Sequence, residues 1–238
     1  MNPQPPPNLQ LSAGHSRLGM ESLYPVSFEV AGPFAMFSRP DTGSAPISYP
    51  VPTYSAAKGM FEAVARFKMV LIHPVAVEVC KPIRYERYVT NYGGPLRKPG
   101  QIKEDNNYQL IATCLADVCY RIFGEVRGKR STHGGVHQRA LKRRSGRRDY
   151  CHELYEVFRS RLENGQTFYT PCLGWKEFVP TYFGPLRPET KRDESISLVI
   201  PSLLYSMWER HGLRPTFRQN WEIVRGCMSY ENRRPGDA

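Results

Sequence analysis

The sequence predicts an α+β fold: a ferredoxin-like domain followed by a smaller C-terminal β region. Three observations carry that reading. The early elements run strand, helix, strand with further strands after them, the order of a ferredoxin-like sheet. With 21 Pro and 19 Gly in 238 residues, the chain has too many turn formers for a helical bundle. Its 40% apolar and 12% aromatic residues are ample for a core and exclude disorder of the whole. The length fits one large domain, or a domain with a satellite.

Residues 1–23 are rich in Pro, Asn, Gln and Ser without an apolar stretch, so they read as a disordered leader and not as a secretory signal. The ferredoxin-like domain is expected over 24–165. Val26, Phe28 and Val30 alternate with Ser27 and Glu29, which predicts a half-buried strand over 24–31. Prolines 33, 40, 46, 50 and 52 forbid regular structure until Ser55, which is placed to cap a helix with Ala57, Met60, Phe61 and Val64 on one face. Lys68 to Cys80 reads as a strand kinked at Pro74, and Ile83 to Thr90 as another. Asn91 to Asn107, rich in Gly, Pro and Lys, reads as a projecting hairpin or thumb, and Gln109 to Val126 as a long returning strand. Asp149 is placed to cap a second helix striped by Leu154, Val157, Phe158 and Leu162 and ended by Asn164-Gly165. Residues 166–238, alternating strands with Gly and Pro turns, make up the C-terminal β-rich region.

The charge is concentrated. There are 33 Lys and Arg against 22 acids, a net +11, which favours a polyanionic partner with nucleic acid first. Residues 127–148 carry nine Lys or Arg and no acid, leaving 24 basic against 22 acidic residues elsewhere. This segment also holds His133, His137 and a Gly-Gly pair with almost no large apolar residue, so it reads as a loop that tracks phosphates; the alternative is a solvated linker. The six cysteines are scattered without a paired close spacing, which fits a reducing, cytoplasmic setting with no metal site and no cofactor. No apolar run approaches the roughly 18 residues of a membrane span.

Four stretches carry a resemblance. They are FEVAGPFAMFSRP from Phe28 to Pro40, SYPVPTYSAAKGMFEAV from Ser48 to Val64, Lys81-Pro82-Ile83, and RSRLENGQTFYTPCLGWKEF from Arg159 to Phe178. In this order they resemble the CRISPR-associated Cas-five proteins of subtype I-C. The resemblance runs from about Val26 to Phe178 and implies a RAMP-type ferredoxin-like fold. It further implies metal-independent cutting of CRISPR precursor RNA, retention of the 5′ handle, and a place in a type I surveillance complex. The partners implied are the CRISPR RNA, the backbone (Cas-seven type) and large (Cas-eight type) subunits, and target DNA indirectly.

Metal-independent RNA cleavage needs a base for the 2′-hydroxyl, an acid for the leaving oxygen, and a cation for the charge on phosphorus. The family places a Tyr or His at the end of the first helix and a Lys-His pair at the start of the later one. The matching positions here are Ala65, Glu153 and Leu154, none of which can do that work. His152, opening the same helix, is the candidate replacement base; Tyr49, Tyr54, His133, His137 and Lys142 are near enough in sequence to reach RNA. His73, beside Pro74 in an apolar strand, reads as structural. For RNA binding, the candidates are Arg39, Tyr49 and Lys58 in the best-matching motifs, Tyr92, Arg97, Lys98 and Lys103 on the thumb, and Arg143, Arg144, Arg147 and Arg148 in the basic loop. Two functions are therefore expected: a subunit that holds the 5′ handle, or a stand-alone repeat endoribonuclease using other residues.

Overall fold

Alternation along the first strand settles which face meets the helices. In β1 (Pro25–Ala35), Val26, Phe28 and Val30 are all buried and point to one side. The computed structural model describes residues 24–43, 45–92, 99–104, 108–128, 149–209 and 212–231. The expected leader over 1–23 lies outside the described residues, as does the basic loop beyond Gly128.

Helix α1 (Tyr54–Val64) starts two residues ahead of the position expected from Ser55. Its cap is Thr53, whose side chain accepts from the Ala56 amide at 3.2 Å. Thr53 follows Pro52 and has extended backbone, the geometry a cap requires. The Ser55 hydroxyl donates instead to the Tyr205 carbonyl at 3.3 Å. Ala57, Met60, Phe61 and Val64 are buried as their spacing predicts.

Strand β2 (Val70–Val79) carries a register shift between Pro74 and Ala76, because proline has no amide for the ladder. Strands β3 (Tyr85–Tyr92) and β4 (Tyr108–Gly128) form a long hairpin, with the short helix α2 (Pro99–Lys103) in their connection. In α3 (Tyr150–Glu163), Asp149 caps the helix by accepting from the Cys151 and His152 amides at 3.0 and 3.3 Å. Leu154, Phe158 and Leu162 face the core and Asn164 closes the helix. The remaining strands are β5 (Tyr182–Gly184), β6 (Leu198–Glu209), β7 (Gly212–Ile223) and β8 (Cys227–Ser229).

The main sheet has the order β5-β1-β4-β2-β8 with antiparallel neighbours throughout, while β6 and β7 pair in a second sheet. The unit β1-α1-β2 has β4 between its strands, and β4-α3-β5 has β1 between its own. The two β-α-β units are thus interleaved. Strand β4 is the shared spine: it pairs β3 up to Leu115, then β1 and β2 from there to Gly128. The division expected at residue 165 does not separate two sheets, since β5 and β8 both join the sheet of β1.

Both helices pack on one face through aromatic contacts. Phe28 meets Phe61 edge-on at 4.8 Å, and Phe61 reaches Phe158 at 5.6 Å. Truncating a ring buried like Phe61 to alanine costs about 3–5 kcal/mol. The opposite face is covered over its central strands by an arm of residues 185–196. Glu29, pointing away from the helices and fully buried, accepts from the Arg187 amide at 3.0 Å, the Arg187 Nε at 2.8 Å and the Thr190 hydroxyl at 2.8 Å. Beside it the buried Glu78 lies 3.5 Å from Arg192 and 4.0 Å from Arg121, and Arg121 donates to the Arg187 carbonyl at 2.6 Å.

Candidate nucleic-acid interface

The first and last motif stretches meet in space. The Met36 amide donates to the Leu173 carbonyl at 2.8 Å and the Thr181 amide to the Ala31 carbonyl at 2.9 Å. Two glycines allow the approach. A Cβ at Gly32 would lie 2.6 Å from a Leu173 methyl, and one at Gly174, whose φ is +93°, would lie 1.9 Å from the Met36 carbonyl oxygen. Trp175 then donates to the Ser38 hydroxyl at 2.9 Å and stacks on Phe178. The block from Arg161 onward also grips α1: Arg161 donates to the Val64 carbonyl at 3.0 Å and Tyr169 to the Gly59 carbonyl at 2.9 Å. These motifs hold the first strand and helix in place, so much of their sequence serves packing.

The residues expected to bind RNA do not share one surface role. Tyr49 is corrected: only 2% of it is exposed, its hydroxyl accepts from the Leu204 amide at 3.0 Å, and burial pushes that hydroxyl's pKa up. With its ring in the core, it leaves RNA no face to stack on. Arg39 is half-buried and ion-paired with Asp41 at 2.7 Å, with its guanidinium 5.9 Å from the Tyr49 ring centre. Lys58 is half-buried and paired with Glu62 one helical turn on. Lys103, exposed, ends α2, and Tyr92 ends β3 at the register position of Tyr108. Arg97, Lys98, Arg143, Arg144, Arg147 and Arg148 lie outside the described residues, as do His133, His137 and Lys142.

At the start of α3, His152 is exposed with its ring 5.8 Å from that of Tyr24. Tyr24 donates to Asp149 at 2.8 Å, a hydrogen bond that, with burial, raises its pKa to about 12. Tyr155 also lies 5.6 Å from Tyr24, and the Arg159 guanidinium is 5.5 Å from the Tyr155 ring centre. An imidazole, two phenol rings and a guanidinium thus line the helix where the basic segment rejoins the fold. Among the described residues no side chain hydrogen-bonds the His152 ring, so nothing there fixes it as a base.

The positions that would hold the family's cutting groups are closed. Ala65 is 2% exposed at the C-cap of α1, and Leu154 is 1% exposed on the buried stripe of α3. Glu153 is half-buried in the first turn of that helix. Two of the three sites are core, so no nearby side chain can borrow them without opening it.

A second group of polar residues, of which the sequence offered Tyr54 alone as a candidate, comes together only in the fold. A cavity of about 330 Å³ is lined by Tyr54, His73, Arg127, Tyr205, Arg218 and Glu231, among others. The Tyr54 hydroxyl and His73 Nδ1 share a hydrogen bond of 3.0 Å. Tyr54 stacks on Tyr205 at 4.6 Å, and the Arg218 guanidinium lies 4.9 Å from the Tyr205 ring centre. Burial, with Arg127 and Lys58 nearby, lowers the His73 pKa against the opposing pull of Glu125 and Glu231. Burial raises Tyr54 to about 12. Arg127, which opens the basic segment, pairs with Glu125 and Glu231, each at 2.7 Å. These residues are up to 177 positions apart, and only the proline in β2 and the basic run from Arg127 hinted at them.

The fold these elements define is that of CRISPR-associated proteins. A crystal structure of a CRISPR-associated protein superposes with a TM-score of 0.61 at 18% identity, covering 87% of this chain and 92% of its own. A functionally uncharacterized protein of Streptococcus mutans gives 0.61 at 15% identity over the same share of each chain. The chain belongs to the Cas5 family of CRISPR-associated proteins, described as "CRISPR-associated protein (Cas_Cas5)", whose pattern it matches over residues 26–224. Among its relatives, a CRISPR pre-crRNA endoribonuclease Cas5d of Mannheimia succiniciproducens is 27% identical over 214 residues, covering 81% of this chain and 88% of that protein. One of Thermus thermophilus with the same description is 29% identical over 185 residues, 76% and 72% of the two chains. No helix among the described residues is long and apolar enough to cross a membrane.

Proposed function

We propose that this protein is the CRISPR RNA-binding subunit of a type I-C-like surveillance complex and holds the 5′ handle of the guide. The observation that carries the reading is membership of the Cas5 family over residues 26–224 in a chain whose positive charge is concentrated in one segment. That segment follows β4 in sequence and ends at Asp149, beside the exposed ring of His152 and the half-buried ring of Tyr155. Cations that follow phosphates next to rings that stack on bases are what single-stranded RNA needs. The order β5-β1-β4-β2, with interleaved β-α-β units, supports reading the sheet as ferredoxin-like and of the RAMP type.

In this reading the thumb residues Tyr92, Arg97, Lys98 and Lys103 meet RNA or the adjacent backbone subunit. The large subunit is the other protein partner, target DNA is reached through the guide, and the complex works in the cytoplasm. Arg39 and Lys58 contact the handle by exchanging Asp41 and Glu62 for phosphate. The test is filter or fluorescence binding of repeat RNA between 50 and 200 mM salt, in which affinity should fall steeply, by about 0.7 log per log of salt for each phosphate neutralised. Affinity that ignores salt, or equal affinity for an uncharged backbone analogue, refutes the reading.

The names of the relatives favour a second reading, a stand-alone endoribonuclease. The burial of Ala65 and Leu154 weighs against cutting at the family's own positions. His152 remains the candidate base of this second reading, and repeat RNA left intact by purified protein would refute it.

A further inference from the structure

We propose that the cavity between the start of α1 and the β6–β7 sheet is a relocated, metal-independent RNA-cleaving site, with Tyr54 and His73 as its proton-transfer pair and Arg127 and Arg218 as its phosphate cations. The inference rests on the RNA-binding reading above. Its basis is that one cavity holds a proton-accepting pair and two cations, with the leaving oxygen open to water, while the positions expected to supply these groups are a buried alanine, a buried leucine and a glutamate.

The geometry assigns each role. Tyr54 Oη and His73 Nδ1 are 3.0 Å apart, within proton-transfer reach. With the imidazole proton on Nε2, the Tyr54 hydroxyl donates to Nδ1, and its oxygen faces the cavity as an acceptor. His73 is neutral because burial and the neighbouring Arg127 and Lys58 disfavour a second proton, while Glu125 and Glu231 oppose them only in part. Tyr54 keeps its own proton well past neutral pH. Among the described residues no carboxylate pairs with Arg218, so its charge is available to a phosphate. Arg127 is shared by Glu125 and Glu231, which hold it at the cavity mouth and temper its charge. The volume, about 330 Å³, lies within the range of small-ligand sites and suits one nucleotide and its phosphate.

The step balances without a co-reactant. The ribose 2′-oxygen attacks the adjacent phosphorus as its proton passes to the Tyr54 oxygen and the Tyr54 proton passes to His73 Nδ1. The phosphorus–O5′ bond breaks, giving a 2′,3′-cyclic phosphate on one product and a 5′-oxygen on the other. That oxygen takes a proton from water, and the imidazolium returns its extra proton to solvent. Arg127 and Arg218 stabilise the added charge on the phosphorane.

The location also suits the cargo. Arg127 lines the cavity and is the first residue of the polycationic run, so the cavity adjoins the part of the chain that carries most of the positive charge. The aromatic group at His152 lies at the other end of the run, where the segment rejoins α3.

The experiment uses the full chain and the transcribed CRISPR repeat of its source genome, in EDTA, with binding and single-turnover cleavage measured side by side. The expected result is cutting to a 2′,3′-cyclic phosphate, abolished by one 2′-deoxy substitution at the cut site. Tyr54→Phe and His73→Gln should each slow the chemical step about 100-fold or more, the range general acid–base groups contribute. Arg218→Ala tests the site without touching the hydrogen-bonded Tyr54–His73 pair and should slow it about 10- to 100-fold. Unchanged melting temperatures separate chemistry from folding, and Arg218→Lys should recover part of the rate. Cutting at the wild-type rate in the Tyr54, His73 and Arg218 variants, or loss in His152→Ala alone, overturns the site. Tight binding with no cutting in EDTA overturns it and leaves the RNA-binding reading intact. Absence of binding removes both.

Discussion

Arg187→Ala should destabilise the protein by about 3 kcal/mol at neutral pH, because it leaves the carboxylate of Glu29 buried without its main partner. Arg187 makes three short contacts to Glu29, two from its guanidinium at 2.8 and 2.5 Å and one from its amide at 3.0 Å, and the substitution removes the first two. Breaking one side of a buried ion pair costs about 3–5 kcal/mol. The low end applies here, since Arg187 keeps 36% of its side chain exposed and Arg121 remains 3.7 Å from Glu29. In a protein of this length each kcal/mol moves the melting temperature by roughly 2–4 °C, so a fall of about 6–12 °C is expected. Burial alone would push the Glu29 carboxyl up, but the Arg187 contacts and the Thr190 hydroxyl outweigh it and hold it below the ordinary carboxylate range. The folded value is therefore below the unfolded one, so this contribution is present above about pH 4.3 and fades as pH falls through the folded value. Without Arg187 the carboxyl rises and takes a proton readily, so the gap between the two proteins should narrow in acid. Thermal melts followed by circular dichroism at pH 7 and pH 4.5 measure both effects. A fall under about 2 °C at pH 7, where about 1 kcal/mol already shows, or a gap that widens in acid, would refute the reasoning.

Replacing Arg143, Arg144, Arg147 and Arg148 by Ala should flatten the salt dependence of repeat-RNA binding by up to about 2.8 in log–log slope, and an unchanged slope returns the segment to a solvated linker. Leu154→His should not create activity, because the side chain lies in the core; it should instead cost about 2–5 kcal/mol in chemical denaturation, and a stable variant that cuts faster would show that α3 can rotate. Gly174→Ala should cost at least about 1–3 kcal/mol from its positive φ alone, with the clash on the Met36 carbonyl added, so expression at wild-type stability would contradict the joint between the two motifs.

Local chemistry made the periodic elements legible. Asp149, the stripe of Leu154, Phe158 and Leu162, and the alternation of Val26, Phe28 and Val30 each determine a state over a few residues, and the structure follows them. The cap of α1 was misplaced by two because Thr53 and Ser55 are chemically alike, and only the extended backbone after Pro52 tells them apart. Tyr49 illustrates a harder limit. Its hydroxyl meets an amide 155 residues away, and a tyrosine between prolines carries no mark that says inward or outward. The arm over Glu29 was equally hidden, since a strand position reading as solvent-facing by alternation is covered by residues 158 and 161 positions on. The Tyr54–His73 pair escaped notice for the same reason: its two residues belong to different elements, and each alone looks like a packing residue.

The interleaving of the two β-α-β units also governs how the protein is born. Strand β1 leaves the ribosome first, yet its two neighbours in the sheet, β4 and β5, begin at Tyr108 and Tyr182. At about 5–20 residues per second, β1 waits roughly 8–30 seconds after its own synthesis before β5 can close its outer edge. Through that interval a strand holding Phe28, Val30 and the unpaired Glu29 offers open backbone to any other nascent chain. Polysome crowding is therefore the condition under which this fold is most prone to mispairing. Truncations ending before residue 182 should aggregate even though α1, β2 and β4 are complete in them.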